Sequence, residues 1–411
     1  MSKILKITAD SLENIKHNSV NFLILLPIIW TFTGMFLYPN GKKFMVVLII
    51  ISTITSFFFY GLKNIKCNLK YNKLLWLLGA SSILAIVADI YYGFSSSQLR
   101  AFISVFIYLT ILPPTVTKKI NLKYLTILGS ITSTIYVFIQ VYILEVGRSW
   151  DINPLPYATF IASIAILTFY FLLESKNIKQ RIQWLLIFIS TLLPLFYSQS
   201  RGLWLAVAVT ILVLLLKSIL TKNKITWLFI LIVTIITLTL MTQLDTVTKR
   251  VEITKNEVLQ IFNGNLHTSI GARLQLWQAA PHLINDSPII GLGDTHVERK
   301  KELAKQNIIS EQIIIFTHYH NQFIDAVVRY GVIGLSLLLC TIALPIYYFF
   351  KNNSEHKWPG ALIVLIYTIA SLTDVPFHHA QTLTLYFLII YITLCGPIAQ
   401  PTPTLTQREV E

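Results

Sequence analysis

Two histidines close the longest polar stretch of the chain, which runs from residue 245 to residue 321 and ends in Thr317-His318-Tyr319-His320-Asn321. A histidine at a wet boundary can act as a general base, because its unperturbed pKa lies near neutrality. The alternative is a pair of histidines held by structural hydrogen bonds. A metal site has less support, because His267, Asp294 and His296 offer no zinc-type spacing to this pair.

Two arginines lie in motifs that suit a phosphate group. Arg201 stands in Ser198-Gln199-Ser200-Arg201-Gly202, between two apolar runs, and Arg273 stands in Gly271-Ala272-Arg273-Leu274-Gln275-Leu276-Trp277. A guanidinium can bind phosphate oxygens through two parallel hydrogen bonds. The alternatives are a snorkelling arginine at a helix end for Arg201 and an exposed arginine on an interfacial helix for Arg273.

A carboxylate in the last polar loop completes the set. Asp374 begins Asp374-Val375-Pro376-Phe377-His378-His379, where it could cap a helix, orient a histidine or bind an acceptor hydroxyl. No glycine-rich nucleotide loop and no Asp-x-Asp pair stands beside these motifs, which argues against a nucleotide-sugar donor. The residues favour a phosphate-bearing lipid substrate and a proton transfer, and we expect no cofactor.

The elements that position these residues are predicted to be membrane helices. Of the 411 residues, 54% are hydrophobic and 13% are charged, whereas soluble domains carry about 25% charged residues. Apolar runs of about 20 residues predict transmembrane helices, since a helix satisfies its own backbone hydrogen bonds in lipid. The expected fold is all-α and polytopic, with twelve spans near 20–38, 44–62, 74–92, 99–116, 122–145, 155–173, 182–198, 202–220, 225–244, 322–350, 358–372 and 382–399.

The placement of charge predicts the orientation of the chain. Nineteen of the 33 lysines and arginines fall in the termini and the even-numbered connections, whereas the opposite short loops hold Lys42, Lys43, Arg100, Arg148 and Arg201. The positive-inside rule then places both termini in the cytoplasm and the stretch 245–321 outside. The net charge of +14 faces anionic lipid and does not indicate a nucleic-acid partner. All four motifs would lie on the outer face.

We expect one membrane domain over residues 1–411, with the stretch 245–321 inserted between the ninth and tenth spans. Within it, the sequence predicts an amphipathic helix from Ser269 to Ile284, a glycine-bent turn over 289–293, and a charged helical stretch from His296 to Gln312. The tail 400–411 is predicted to be disordered and cytoplasmic. The first apolar segment is expected to be a span, not a cleaved signal peptide, and Cys67, Cys340 and Cys395 to form no disulfide framework.

These motifs resemble those of the O-antigen ligase and polymerase superfamily of bacterial membrane glycosyltransferases. The resemblance covers about residues 180–340, and its motifs follow in order: Ser200-Arg201-Gly202, Gly271-x-Arg273 with Trp277, Pro288-Ile289-Ile290-Gly291-Leu292-Gly293, His318-Tyr319-His320-Asn321 and Gly331-Val332-Ile333-Gly334. It implies about twelve transmembrane helices with a helical periplasmic loop, similar to C-type glycosyltransferases. It also implies the inner membrane of a Gram-negative bacterium.

The resemblance further implies a reaction. The donor would be a glycan on undecaprenyl diphosphate and the acceptor a sugar hydroxyl of lipid A–core, with inversion at the anomeric carbon and no metal ion. Arg201 and Arg273 match the two arginines of the ligases, His320 matches the base, and Asp374 matches an aspartate of the last outer loop. The choice between His318 and His320 stays open, and Arg100 is a candidate third cation for the diphosphate.

Four functions remain in view. An O-antigen ligase leads, followed by an O-antigen polymerase, a protein O-oligosaccharyltransferase and a non-enzymatic transporter of lipid-linked glycan. Transporters are expected to show discontinuous helices or repeat symmetry near the midplane and charged residues within the spans. The motif residues here lie at the outer ends of spans, which favours chemistry at the surface.

Overall fold

A computed structural model describes residues 2–92, 96–146, 150–219, 224–351 and 357–395, and over these residues the chain is helical and without β-strands. The predicted all-α fold is therefore confirmed. Arg148 and the tail 400–411 lie outside the described residues. The helices are α1 Ser2–Thr31, α2 Gly41–Tyr71, α3 Lys73–Tyr92, α4 Ser96–Ile111, α5 Pro114–Thr117, α6 Leu122–Phe138, α7 Pro154–Glu174, α8 Ile178–Tyr197, α9 Arg201–Ile219, α10 Lys224–Gln243, α11 Asp245–Phe262, α12 Ser269–Asp286, α13 His296–Lys305, α14 Gln322–Lys351, α15 Lys357–Ala370 and α16 Ala380–Cys395.

Over the residues that the structure describes, the predicted apolar runs lie mainly on helices, although the run 20–38 continues past Thr31, where α1 ends. The protein is a multi-pass membrane protein. Among the described residues, six helices are long and apolar enough to cross a membrane: α2, α3, α6 with the π-helical turn 139–143, α7, α9 and α14. The apolar helices in α4, α10, α15 and α16 are shorter, with 10–17 residues. Twelve crossings therefore remain a prediction.

Helix α7 is the central element of the bundle. Every residue from Pro156 to Leu172 is buried. A helix that is hydrophobic all round is buried on all sides, and α7 contacts α6, α8, α9, α15 and α16. The helices that carry the candidate residues are held by this core.

Helix α14 is broken at Gly331, and the turn over residues 288–292 fills the break. Gly331 has φ 62° and ψ −162°, outside the helical region. The broken helix leaves backbone groups without helical partners, and the turn supplies them: Leu292 N donates to Val328 O at 2.8 Å, and Val332 N donates to Pro288 O at 2.9 Å. Two of the motifs in the sequence thus form one structural unit.

The polar stretch 245–321 contains three helices. The predicted helix from Ser269 is confirmed as α12, which Thr268 caps by accepting a hydrogen bond from Gly271 N at 2.9 Å. The predicted helix from His296 ends at Lys305, before the predicted Gln312, and only a short 3-10 turn over Glu311–Ile313 follows it. Helix α11 was not expected, because its residues show no apolar run.

Candidate active site

The loop that carries the two histidines is anchored by the residue between them. Tyr319 is fully buried, its hydroxyl lies 2.9 Å from His296 Nδ1, and its backbone O accepts a hydrogen bond from Trp277 Nε1 at 2.9 Å. Helices α12 and α13 therefore both hold this loop. The rings of His318 and His320 lie on either side of Tyr319 in sequence, with their centroids 4.3 Å apart.

The end of the loop fixes the start of α14. Asn321 Oδ1 accepts hydrogen bonds from Phe323 N at 3.0 Å and Ile324 N at 3.2 Å, which makes Asn321 the N-cap. Immediately before it, His320 has φ 48°, a left-handed conformation that non-glycine residues adopt at some cost in energy. Such strain at a conformationally constrained histidine is typical of functional sites.

The structure brings Asp374 to this loop from the other end of the chain. Asp374 is 3% exposed, and its Oδ1 lies 4.0 Å from His320 Nδ1. Neither of these two atoms has a hydrogen-bond partner among the described residues. Asp374 lies between α15 and α16 without capping α16, which begins at Ala380, so the helix-cap interpretation does not apply.

Four histidines gather around this carboxylate, and we call His318, His320, His378 and His379 the histidine cluster. The ring of His318 lies 4.3 Å from that of His320, 5.8 Å from that of His378 and 6.2 Å from that of His379, measured between centroids. The loop 317–321 and the loop 371–379 meet through these rings. A backbone hydrogen bond from Gln322 N to Ser371 O, at 2.8 Å, ties the same two loops.

Burial keeps the histidine cluster neutral. It lowers the pKa of His320 to about 3, with further contributions from the charges of His318, Arg273 and His379, and it lowers the pKa of His318 to about 4 against the opposing charge of Asp374. It also lowers the pKa of His379 to about 4 and that of His378 well below the usual value. Burial raises the pKa of Asp374, while His318 and Arg273 oppose the rise.

Arg273 belongs to this site. Its charge lowers the pKa of both His320 and Asp374, so the guanidinium lies within electrostatic reach of the pair. Helix α12, which carries Arg273, is joined to the histidine loop by Trp277. An arginine, an imidazole and a carboxylate from three separate segments are thus within electrostatic range of one another.

Arg201 reaches the same region along a different element. It begins α9, and its Nη1 donates to Thr254 Oγ1 at 2.7 Å and to Glu257 Oε2 at 3.0 Å, both on α11. A Cβ on Gly202 would overlap the side chain of Thr373, so the start of α9 packs against the loop that carries Asp374. Arg201 is an ion-paired residue beside the site, and its guanidinium does not extend freely along lipid.

Arg100 lies in a different environment. It is exposed on α4 and lines a cavity of about 230 Å³ together with Lys42 and Lys43 of α2. Its assignment to the diphosphate therefore stays a prediction without a contact to support it. The environment of this arginine is itself cationic.

The sequence motifs do not include a network around the buried Arg329. Its Nη2 donates to Asp294 Oδ1 at 2.7 Å, its Nη1 lies 2.8 Å from His378 Nδ1, and Asp325 Oδ2 lies 4.0 Å from the same Nη1. Asp325 Oδ1 also accepts a hydrogen bond from Tyr319 N at 3.3 Å. This network connects the 3-10 turn Gly293–Thr295, the histidine loop and the loop 371–379. Charges at i and i+4 inside a long apolar run were the available signal.

The comparisons with known proteins agree with the motifs. Residues 186–339 match the model of a family described as O-Antigen ligase, which confirms the resemblance to the O-antigen ligase superfamily. An uncharacterized protein of Haemophilus influenzae is 25% identical over 221 residues, which is 53% of this chain and 55% of that relative. The chain thus covers about half of the relative's length. The family consists of membrane enzymes of the O-antigen ligase and polymerase type, which are glycosyltransferase-like.

Proposed function

We propose that this protein is an O-antigen ligase. It transfers a glycan from undecaprenyl diphosphate to a sugar hydroxyl of lipid A–core, on the periplasmic face of the inner membrane, with inversion and without a metal ion. The single observation that carries the proposal is the convergence of His320, Asp374 and Arg273 from three separate segments. Two of these three residues lie within the stretch that matches the O-antigen ligase family.

The pairing of His320 with Asp374 supports a role as general base. With a proton on Nδ1 directed at the carboxylate, Nε2 is left to accept the proton of the acceptor hydroxyl. The 4.0 Å separation is long for a hydrogen bond, and catalytic contacts commonly shorten when substrate binds. The low pKa of the free histidine keeps it deprotonated, and the incoming diphosphate would make the imidazole more basic.

The proposed transfer is a direct displacement at the anomeric carbon. The acceptor oxygen forms a bond to the anomeric carbon while the bond from that carbon to the diphosphate oxygen breaks. The lipid diphosphate leaves with the electron pair, and His320 holds the proton. Arginines around the leaving group stabilise its growing charge, and this stabilisation is strong in a site that excludes water.

Arg273 and Arg201 are the proposed partners of the diphosphate. Arg273 lies within electrostatic range of His320 and Asp374, whereas Arg201 is paired with Glu257. Donor binding would replace or share the Glu257 contact, because two phosphate groups offer more oxygens than one carboxylate. Helix α11 would then hold Arg201 ready until the donor arrives.

The test is deletion of the gene, followed by separation of lipopolysaccharide on a gel and staining of lipid-linked glycan. A ligase predicts lipid A–core without O-antigen and polymer accumulating on undecaprenyl diphosphate. Core that carries a single repeat unit would identify a polymerase instead. An unchanged lipopolysaccharide ladder would reject both the ligase and the polymerase. Protein glycosylation or transport would then be the leading function.

A further inference from the structure

Two adjoining cavities lie behind the histidine cluster, on the side of α2 and α4. The first, about 230 Å³, is lined by Lys42, Lys43 and Arg100, and the second, about 250 Å³, is lined by Asp151, Asn153 and Gln381. Lys42, Ser97 and Ala380 belong to the walls of both. Together they reach the size of ligand pockets in proteins, about 300–1,000 Å³.

The two cavities differ in chemistry. The first gathers three cations from two helices, and in the part of the chain that the structure describes none of them forms a salt bridge. The second offers a carboxylate, two amides and the half-exposed ring of Tyr38. Planar polar groups beside an aromatic face suit the hydroxyls and the apolar face of a sugar, whereas clustered cations suit a phosphate or carboxylate.

The cavities are joined to the candidate active site through histidines. His378 and His379 line the second cavity, and their rings lie 5.8 Å and 6.2 Å from that of His318. His379 Nε2 is a buried polar atom without a hydrogen-bond partner among the described residues, and the charge of Lys42 acts on this ring. A ligand in the second cavity would therefore be separated from the rings of His318 and His320 by a single histidine ring.

We infer that these cavities form the acceptor subsite and that it selects an anionic saccharide, whose phosphate or carboxylate group binds Lys42, Lys43 and Arg100. The inference rests on the proposed function and deepens it. An inverting displacement requires the acceptor to approach opposite the diphosphate. The cationic cavity adjoins, through Lys42 and Ser97, the cavity that His378 and His379 line, whereas Arg273 and Arg201 belong to α12 and α9. Arg100 would then bind the acceptor's charge and not the donor's.

The experiment measures binding of core-only lipopolysaccharide to the full chain in detergent, before and after chemical dephosphorylation, by thermophoresis. Wild type is compared with a Lys42→Gln/Arg100→Gln double variant and with Lys301→Gln, which removes the same type of charge from the exposed face of α13. We expect the phosphorylated acceptor to bind the double variant at least about tenfold more weakly, and Lys301→Gln to bind like wild type. Equal binding of the dephosphorylated acceptor to all three proteins would identify phosphate as the bound group, and a loss that persists in the double variant would identify a carboxylate.

The outcomes separate the two proposals. Equal affinity of the double variant and Lys301→Gln for the phosphorylated acceptor would overturn the subsite. If deletion leaves lipopolysaccharide unchanged while binding still depends on Lys42 and Arg100, the ligase proposal fails and the anionic saccharide site stands. A double variant that does not fold, seen as a lost sharp peak in size exclusion, is replaced by the single Arg100→Gln variant, for which about a tenfold loss is still required.

Discussion

The two histidines of the loop 317–321 are distinguished by what faces them. His320 Nδ1 lies 4.0 Å from Asp374 Oδ1, and His320 is the histidine on whose pKa Arg273 acts. His318 makes edge-on and tilted ring contacts with the other histidines, and Asp374 raises its pKa against the effect of burial. These contacts favour His320 as the base and His318 as a neighbour that fills the cluster.

We predict that His320→Ala lowers transfer by about 10²- to 10⁴-fold, the usual contribution of a general base, while His318→Ala lowers it less. Transfer is followed with reconstituted protein, lipid-linked glycan and lipid A–core. Both variants remove a partly buried ring of the same size, so His318→Ala is the matched control for lost packing. A larger loss in His318→Ala would reverse the assignment of the base.

The depressed pKa of His320 predicts an unusual pH profile. With a pKa of about 3 in the free enzyme, the base stays deprotonated from pH 8 to pH 5.5, so kcat/KM for the donor should be flat there. An acid limb with an apparent pKa near 6.5 would contradict the prediction. His320 affects stability differently: between about pH 6.5 and about pH 3 it binds a proton in the unfolded chain but not in the folded chain, so its contribution to the free energy of unfolding falls as the pH falls.

Sequence motifs identified the residues around Asp374 but not the network that holds them. Arg201, Arg273, His320 and Asp374 were visible because they interrupt apolar sequence. Arg329 and Asp325 were not identified because they lie in the first turns of a helix predicted to be a span. In such a helix, hydrophobic periodicity predicts the helix but not the partners of its charged residues. Their partners are as far as 49 residues away, from Arg329 to His378, and only the folded chain brings such groups together.

At the scale of elements, the broken helix α14 changes one expectation. A discontinuous helix with buried charges was expected only of a transporter, yet α14 breaks at Gly331 and carries Asp325 and Arg329 before the break. The break lies nine residues from the start of the helix and is filled by the turn 288–292. It therefore builds the wall of the site, and it does not by itself favour transport.

We predict that Gly291→Ala disrupts this wall. Gly291 has φ 74°, and a Cβ there would overlap the backbone of Arg329 and Tyr330. Gly264→Ala is the matched control, because Gly264 has φ 81° but open space around a new Cβ. Gly264→Ala should lower the free energy of unfolding by about 1–2 kcal/mol, because alanine disfavours the left-handed conformation. Gly291→Ala carries the same cost and must also displace two backbone segments.

The measurement is the apparent melting temperature of both variants in detergent, together with transfer. Gly291→Ala should melt at a clearly lower temperature than Gly264→Ala and lose activity, since Arg329 holds both Asp294 and His378. Equal melting temperatures and equal activity would show that the turn 288–292 does not support the site.

At the scale of the whole molecule, composition and periodicity were enough to predict an all-α membrane protein and most of its helices, though not α11. They could not decide how many helices cross, because length and hydropathy identify six long spans while the apolar helices of α15 and α16 hold 10–17 residues. The hydrogen bond from Gln322 N to Ser371 O places the start of α14 beside the end of α15. If α14 crosses the bilayer, the short helix α15 must return across it.

The positions of α14 and α15 and the distribution of lysines and arginines together predict the membrane topology. Cysteine labelling in whole cells tests this prediction. In a cysteine-free background, we predict that a membrane-impermeant maleimide labels Lys301→Cys and Leu372→Cys from outside, because both lie on the side of the histidine cluster. Lys119→Cys, in the turn before α6, should be labelled only after the membrane is opened, as the positive-inside rule requires. Labelling of Leu372→Cys only after opening would mean that α15 does not return. Labelling of Lys119→Cys from outside, with Lys301→Cys protected, would place Asp374, His320 and both arginines in the cytoplasm and remove the periplasmic reaction altogether.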